Sequence, residues 1–211
     1  MINKSEREQI IALINREVVP AIGCTEPIAV ALCVAKATET LGCKPEKIQA
    51  LLSANILKNA MGVGIPGTGM IGLPIAIALG ALIGKSEYQL EVLKDSTPEA
   101  VEAGKKLIDS QAINIGLKYG IEEKLYIEII CEAEGKKATA IISGGHTNFV
   151  YVARDGEVLV NKQTSAADEA AADDVELTLR KVYDFATTSP IEELKFILET
   201  RNLNKKAAER S

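Results

Sequence analysis

The chain has 211 residues, 47% of them hydrophobic and 25% charged, with a formal net charge of -5. That balance supports a packed core and excludes intrinsic disorder. The acidic surplus argues against a general nucleic-acid binder, because contact with phosphates needs a basic face. Aromatic residues make up only 4% and there is no Trp, so Ala, Ile, Leu and Val must build the core.

Residues 5–19 repeat apolar positions at helical spacing through Ile10, Leu13, Ile14 and Val18, and Ser5 with Glu8 has capping-box spacing. Pro20 and Gly23 break this helix. A second helix is expected from Thr25, read as its N-cap, to Gly42, apolar on nearly every side and therefore buried. Residues 47–54 suit a strand. The stretch Asn55 to Gly69 is dense in glycine and amides, with helices expected at about 70–84 and at 97–110, where Ser96-Thr97-Pro98-Glu99 is a strong start signal. After Leu125 the period changes to two. Segments 125–134, 137–144, 147–154 and 157–162 alternate as half-buried strands, joined by turns at Gly135 and Gly156. Helix returns over 166–183 and 189–203. The sum is one α+β domain over residues 1–211, a mostly antiparallel sheet packed against the helices of 5–41 and 70–110.

Met61 to Gly84 holds no charged residue and is long enough to span a bilayer. Its seven glycines and two prolines, however, favour a buried loop feeding a buried helix. The start, MINKSEREQI, carries charge where a signal peptide needs an apolar stretch, so none is expected. The four cysteines contain no CxxC pair. A reducing cytoplasmic setting without disulfides, and no membrane partner, is the expectation.

Three segments carry unusual chemistry. Cys24 stands at a helix start, where the macrodipole favours a thiolate, and thiolates bind metals; a small residue at a tight turn is the plain alternative. Asn55, Lys58 and Asn59 precede a glycine-rich run, a set that suits a small anionic or zwitterionic ligand; a hinge would look the same. Gly67 to Gly72 formally reads GxGxxG, but no strand leads directly into it and Pro66 stands at its entrance, which argues against a dinucleotide fingerprint. His146, the sole histidine, lies beside Gly144 and Gly145 and is open to acid–base work or to a structural role.

Taken together, PAIGCTEPIAVAL, NILKNAMGVGIPGTGMIGLPIAIALGA, LEVLKD and ISGGHTN resemble the L-cysteine desulfidase family (UPF0597-type proteins), related to the alpha chain of iron–sulfur L-serine dehydratase. The resemblance covers essentially the whole chain, in order. It implies a [4Fe-4S] cluster held by three cysteines, with Cys24 as one ligand, and β-elimination from L-cysteine or L-serine without pyridoxal phosphate. His146 and Lys58 are then the expected catalytic side chains. Thr25, Glu26, Asn55, Asn59, Pro66, Gly67, Thr68, Gly69, Thr147 and Asn148 are the expected substrate contacts. Family members run to about twice this length, so this chain resembles their N-terminal half. The C-terminal half is then the implied partner and the source of the remaining cluster cysteines, with no intact cluster expected in this chain alone. A homo-oligomer is compatible with the sequence. A non-catalytic small-molecule-binding or structural domain is the competing reading.

Overall fold

The computed structural model describes residues 2–162 and 175–209. Its contacts gather into two compact units, Pro20–Glu169 and a smaller one of Met1–Val19 with Ala170–Ser211.

The larger unit is organised by α2 (Thr25–Leu41). Apart from its two ends, this helix offers almost no polar surface, and Ile28 to Ala35 lie wholly or almost wholly out of solvent. A helix apolar on all sides must be covered on all sides. One side is covered by a six-stranded sheet and another by α4 (Leu73–Leu82). Cys24, not Thr25, is the N-cap residue, with extended dihedrals of φ -69 and ψ 134. The helix ends at Gly42, whose left-handed φ of 81 lets its N–H reach back to the Thr38 carbonyl.

The sheet consists of β1 (Lys47–Leu52), β4 (Ile113–Leu117), β5 (Tyr126–Ala133), β6 (Lys136–Ser143), β7 (Phe149–Arg154) and β8 (Glu157–Asn161). The strand order is β4-β1-β5-β6-β7-β8. β5 to β8 form the antiparallel meander that the alternation predicts, with turns at Gly135 and Gly156. Ile127, Ile129 and Cys131 face α2, while Glu128, Ile130 and Glu132 point the other way.

β4 is a strand that the sequence reading does not contain. It pairs in parallel with β1, which makes the sheet mixed. Its five residues include Asn114 and Gly116 and show no clean burial alternation, so the period-two signal is weak. Between β1 and β4 run α3 (Ala54–Ala60), a small hairpin of β2 (Gly64–Ile65) and β3 (Met70–Ile71), then α4, a 3-10 stretch (Ser86–Glu91) and α5 (Pro98–Asp109). The helix expected at 70–84 is thus shortened by β3 at its start. The N-cap of α5 is Thr97, whose hydroxyl accepts the Ala100 N–H, as the start signal predicts.

In the smaller unit, α1 (Lys4–Glu17) is capped two residues earlier than the Ser5–Glu8 reading. The Asn3 side chain accepts the Glu6 N–H at 2.9 Å, and the Glu6 carboxylate accepts the Asn3 N–H at 3.1 Å. α1 groups in this unit with α6 (Leu179–Thr188), α7 (Ile191–Leu194) and α8 (Leu198–Ala208). Ile2, Ile10 and Phe185 form its core, and Arg7–Glu193 and Lys181–Glu6 ion pairs at 3.0 and 3.2 Å tie the helices together. The helix expected over 166–183 falls partly outside the described residues; within them it begins at Leu179 and runs on to Thr188. Among the described residues no helix is long and apolar enough to cross a membrane.

α4 approaches α2 so closely that a Cβ on Gly80 would lie 2.6 Å from the Ala31 carbonyl oxygen. Relief there needs a backbone shift. A Cβ on Gly104 of α5 meets the Ile75 Cδ1 at 3.0 Å, which a side chain can yield. Gly80→Ala should therefore destabilise the chain by about 2–3 kcal/mol and Gly104→Ala by less. Denaturant midpoints of the two variants check this; equal midpoints would contradict the α2–α4 packing.

Candidate functional site

The direction of α2 decides where its first turn lies. The Cys33 thiol reaches the Ala140 carbonyl at 3.3 Å and the Ile127 carbonyl at 3.8 Å, and further along Thr38 meets Cys131 at 3.9 Å. The helix therefore runs beside β5 from its Ile127 end towards its Cys131 end. Cys24, Thr25 and Glu26 are delivered to the end of the sheet where β5 starts and β6 finishes.

That same end carries the other unusual segments. Ser53, the N-cap of α3, donates its N–H to the Tyr126 carbonyl at 3.0 Å and its hydroxyl to the Lys124 carbonyl at 2.7 Å. Gly144 donates its N–H to the Leu125 carbonyl at 3.1 Å. So α3 and the 143–148 loop flank the first residues of β5. The β2–β3 hairpin joins them through Pro66, which sits against Gly23: a Cβ there would lie 2.8 Å from the Pro66 Cγ. Gly23 also has a φ of 87, so both conformation and space require glycine beside Cys24.

The polar groups in the α2 turn form a small network. Cys24 Sγ donates to Glu26 Oε2 at 2.9 Å, and Thr25 Oγ1 donates to the same oxygen at 3.3 Å. Burial, followed by this bond to a carboxylate, raises the Cys24 thiol above its ordinary range. That reverses the expectation from the helix dipole: loss of solvent, with a carboxylate in direct contact, outweighs the macrodipole's half-charge. The Cys24 bond is also the largest influence holding the Glu26 carboxyl below its usual range, with desolvation working against it and the nearby charge of His146 adding a smaller pull downward. His146, 120 positions further along the sequence, thus lies near enough to act on the Glu26 carboxyl.

Other expected contacts have their groups committed to the scaffold. Thr68 Oγ1 donates to the Ile65 carbonyl at 2.6 Å and accepts the Met70 N–H at 3.0 Å, so it builds the hairpin turn. The Asn148 amide donates to the Ser143 carbonyl at 3.0 Å, and its oxygen accepts from Lys162 at 3.2 Å. Gly67 and Gly69 take φ values of 76 and 65 in the same turn. Asn55, Lys58, Asn59, Pro66 and Thr147 are exposed, and His146 is half-buried. Lys162 is a residue that the sequence reading misses, since nothing in its neighbours marks it as a partner of Asn148.

The four-iron cluster implied by the resemblance needs several cysteine thiolates with suitable geometry. Only Cys24 stands at this end. Cys33 is fully buried against the sheet, and burial pushes its thiol well up. Burial likewise pushes Cys131 up to about 12. Cys43 lies beyond the far end of α2. Among the described residues no group of three or more His, Cys, Asp or Glu side chains is placed to hold a metal ion. Among the described residues the four cysteines are not gathered to hold such a cluster.

With this geometry in hand, the chain's relatives can be compared. It is 80% identical over 211 residues to a UPF0597 protein of Phocaeicola vulgatus, covering 100% of this chain and 49% of that protein. Along its whole length the chain matches the UPF0597 proteins. Identity is 48% over 211 residues with the UPF0597 protein of Porphyromonas gingivalis, covering 97% of this chain and 49% of the relative. For the UPF0597 protein of Aeromonas hydrophila it is 40% over 209 residues, covering 98% and 47%. The chain spans about half the length of the curated relatives it matches. No family model matches it, and no solved structure does.

If Glu26 helps to keep the Cys24 proton in place, Glu26→Gln should speed alkylation of Cys24 by iodoacetamide near pH 8 by a factor of a few. Removing the carboxylate's charge lowers the thiol's affinity for its proton. Peptide mapping identifies Cys24 among the four thiols. An unchanged rate would leave burial as the sole cause of the raised value.

Proposed function

We propose that this chain supplies one wall of the active site of a lyase of the L-cysteine desulfidase type. The reaction eliminates sulfide from L-cysteine, or water from L-serine, to leave an aminoacrylate. Its imine tautomer takes up water and gives pyruvate and ammonia. The observation that carries the reading is the gathering of the Cys24–Glu26 turn, the start of α3, the glycine-rich hairpin and the His146 loop at one end of the sheet. Segments separated by tens of residues in sequence and rich in thiol, carboxylate, imidazole, ammonium and amide groups are what a small polar substrate needs.

Within this chain, His146 is the candidate for proton movement because it is half-buried and close enough to Glu26 to act on its charge. Glu26 accepts from Cys24 and Thr25, and so fixes the first turn of α2. The iron–sulfur cluster of this reading draws on residues outside the chain, and its C-terminal half-partner provides them. Four free thiols accord with a reducing, cytoplasmic setting. A second reading has its own support: the Cys24 proton is held by Glu26, which suits a small-molecule-binding domain without catalysis.

Sulfide release from L-cysteine separates the two, measured under anaerobic iron–sulfide reconstitution in a protein of the relatives' full length carrying this segment. The lyase reading expects turnover that Cys24→Ser abolishes together with cluster absorbance. His146→Ala should keep the absorbance and slow elimination by about a hundredfold or more. Full activity in Cys24→Ser would remove Cys24 from the mechanism, and no turnover in the parent protein would favour the binding domain.

A further inference from the structure

Helix α3 turns one face into the core and one outward. Ile56 and Ala60 are fully buried, while Asn55, Lys58 and Asn59 are exposed. Positions 55, 58 and 59, and Gly62 just past the helix, follow the i, i+3, i+4, i+7 pattern of a single stripe. The stripe is therefore two amides around one ammonium.

That ammonium has no acidic neighbour along the chain. Lys58 is the sole charged residue between Lys47 and Lys85, and no Asp or Glu occurs from Lys47 to Ser86. In a chain with a net charge of -5, this is a local reversal of sign. Among the described residues Lys58 makes no ion pair, so its charge is open to a ligand.

The glycines beside it supply an independent observation. Gly62 and Gly64 do not take positive φ, and a Cβ on either would meet nothing within 4 Å. Among the described residues neither conformation nor packing asks for glycine there, although glycine costs conformational entropy on folding. Gly23, Gly72 and Gly80 differ, because each would drive a Cβ to within 3 Å of a neighbour. A bare backbone with open space in front of it is suited to close approach by something from outside. Through Pro66 the same hairpin touches the Gly23–Cys24 turn.

We propose that Asn55, Lys58 and Asn59, with the bare backbone at Gly62 and Gly64, form a subsite for the carboxylate of a small amino acid. Lys58 Nζ meets the carboxylate charge, the two amides orient it, and the missing side chains let it reach the backbone. Lys58 is then a binding group rather than a catalytic one. This rests on the reading of an amino-acid ligand given above, but it assigns recognition to the carboxylate and not to the thiol or hydroxyl.

The test is titration of the 15N-labelled 211-residue chain, under reductant and at low salt, with three probes. L-cysteine carries amine, carboxylate and thiol; 3-mercaptopropionate lacks the amine; cysteamine lacks the carboxylate. The first two should shift the amide signals of residues 55–64 saturably, and cysteamine should not. Lys58→Met should weaken both by at least about tenfold, the loss expected for a hydrogen bond to a charged group. Gly64→Ala should weaken both as well while leaving the melting temperature at or above that of the parent, because its Cβ meets nothing in the fold. Cysteamine shifting the same signals, Lys58→Met binding as tightly as the parent, or silence of residues 55–64 towards both carboxylates would each overturn the proposal. If both carboxylates bind here but the full-length form releases no sulfide, the lyase reading fails and the subsite stands. Sulfide release whose KM ignores Lys58→Met sinks the subsite alone.

Discussion

The burial of α2 is the constraint on which the larger unit depends. From Ile28 to Ala35 the helix presents only apolar atoms, so stability requires a cover on each side. The sheet supplies one cover through Ile127, Ile129, Ala138 and Ala140, and α4 supplies another through a contact that admits only glycine at position 80. The small side chains of α2 are what make both approaches close. Ala29, Ala31 and Ala35 keep the helix thin, and the few aromatic residues of the chain leave no need for wider spacing.

Chemistry follows from that packing by simple geometry. A helix gripped by both a sheet and a second helix is fixed in place, so its first turn is held at one end of the sheet. Cys24 and Glu26 are placed there by core contacts further along the helix, at Cys33 and Thr38. Ser53 and Gly144 attach α3 and the His146 loop to the first residues of β5, which belongs to the same sheet. The polar groups thus sit on segments anchored to rigid elements, the arrangement that a binding or reacting constellation requires.

Much of the fold was legible in the sequence. The switch of period after Leu125 announced the meander, Thr97-Pro98-Glu99 marked the start of α5, and the run after Glu26 announced a buried helix ending at Gly42. β4 was not legible, because a five-residue strand with Asn114 and Gly116 has no periodic signature and gains its stability from pairing with β1. The caps of α1 and α2 were each displaced, since Asn3 and Cys24 hold the non-helical dihedrals that the sequence had given to Ser5 and Thr25. Boundaries depend on one or two residues' dihedrals, which neighbouring identities constrain weakly.

The candidate site divides along the same line. Residue chemistry and local spacing, both one-dimensional, singled out Cys24, the Asn55–Lys58–Asn59 group, the glycine run and His146. The state of each group is set by what lies across space. The helix dipole alone pointed to a thiolate at Cys24, but the contact with Glu26 and the loss of solvent hold the proton on. Thr68 and Asn148, expected as substrate contacts, are bound into turns, whereas Lys58 makes no ion pair among the described residues. The sequence determined which segments are chemically unusual and that α2 must be buried, because composition and period act locally. Tertiary structure alone decided that those segments share one end of a sheet and which of their polar groups remain free, because hydrogen bonds and desolvation depend on neighbours distant along the chain.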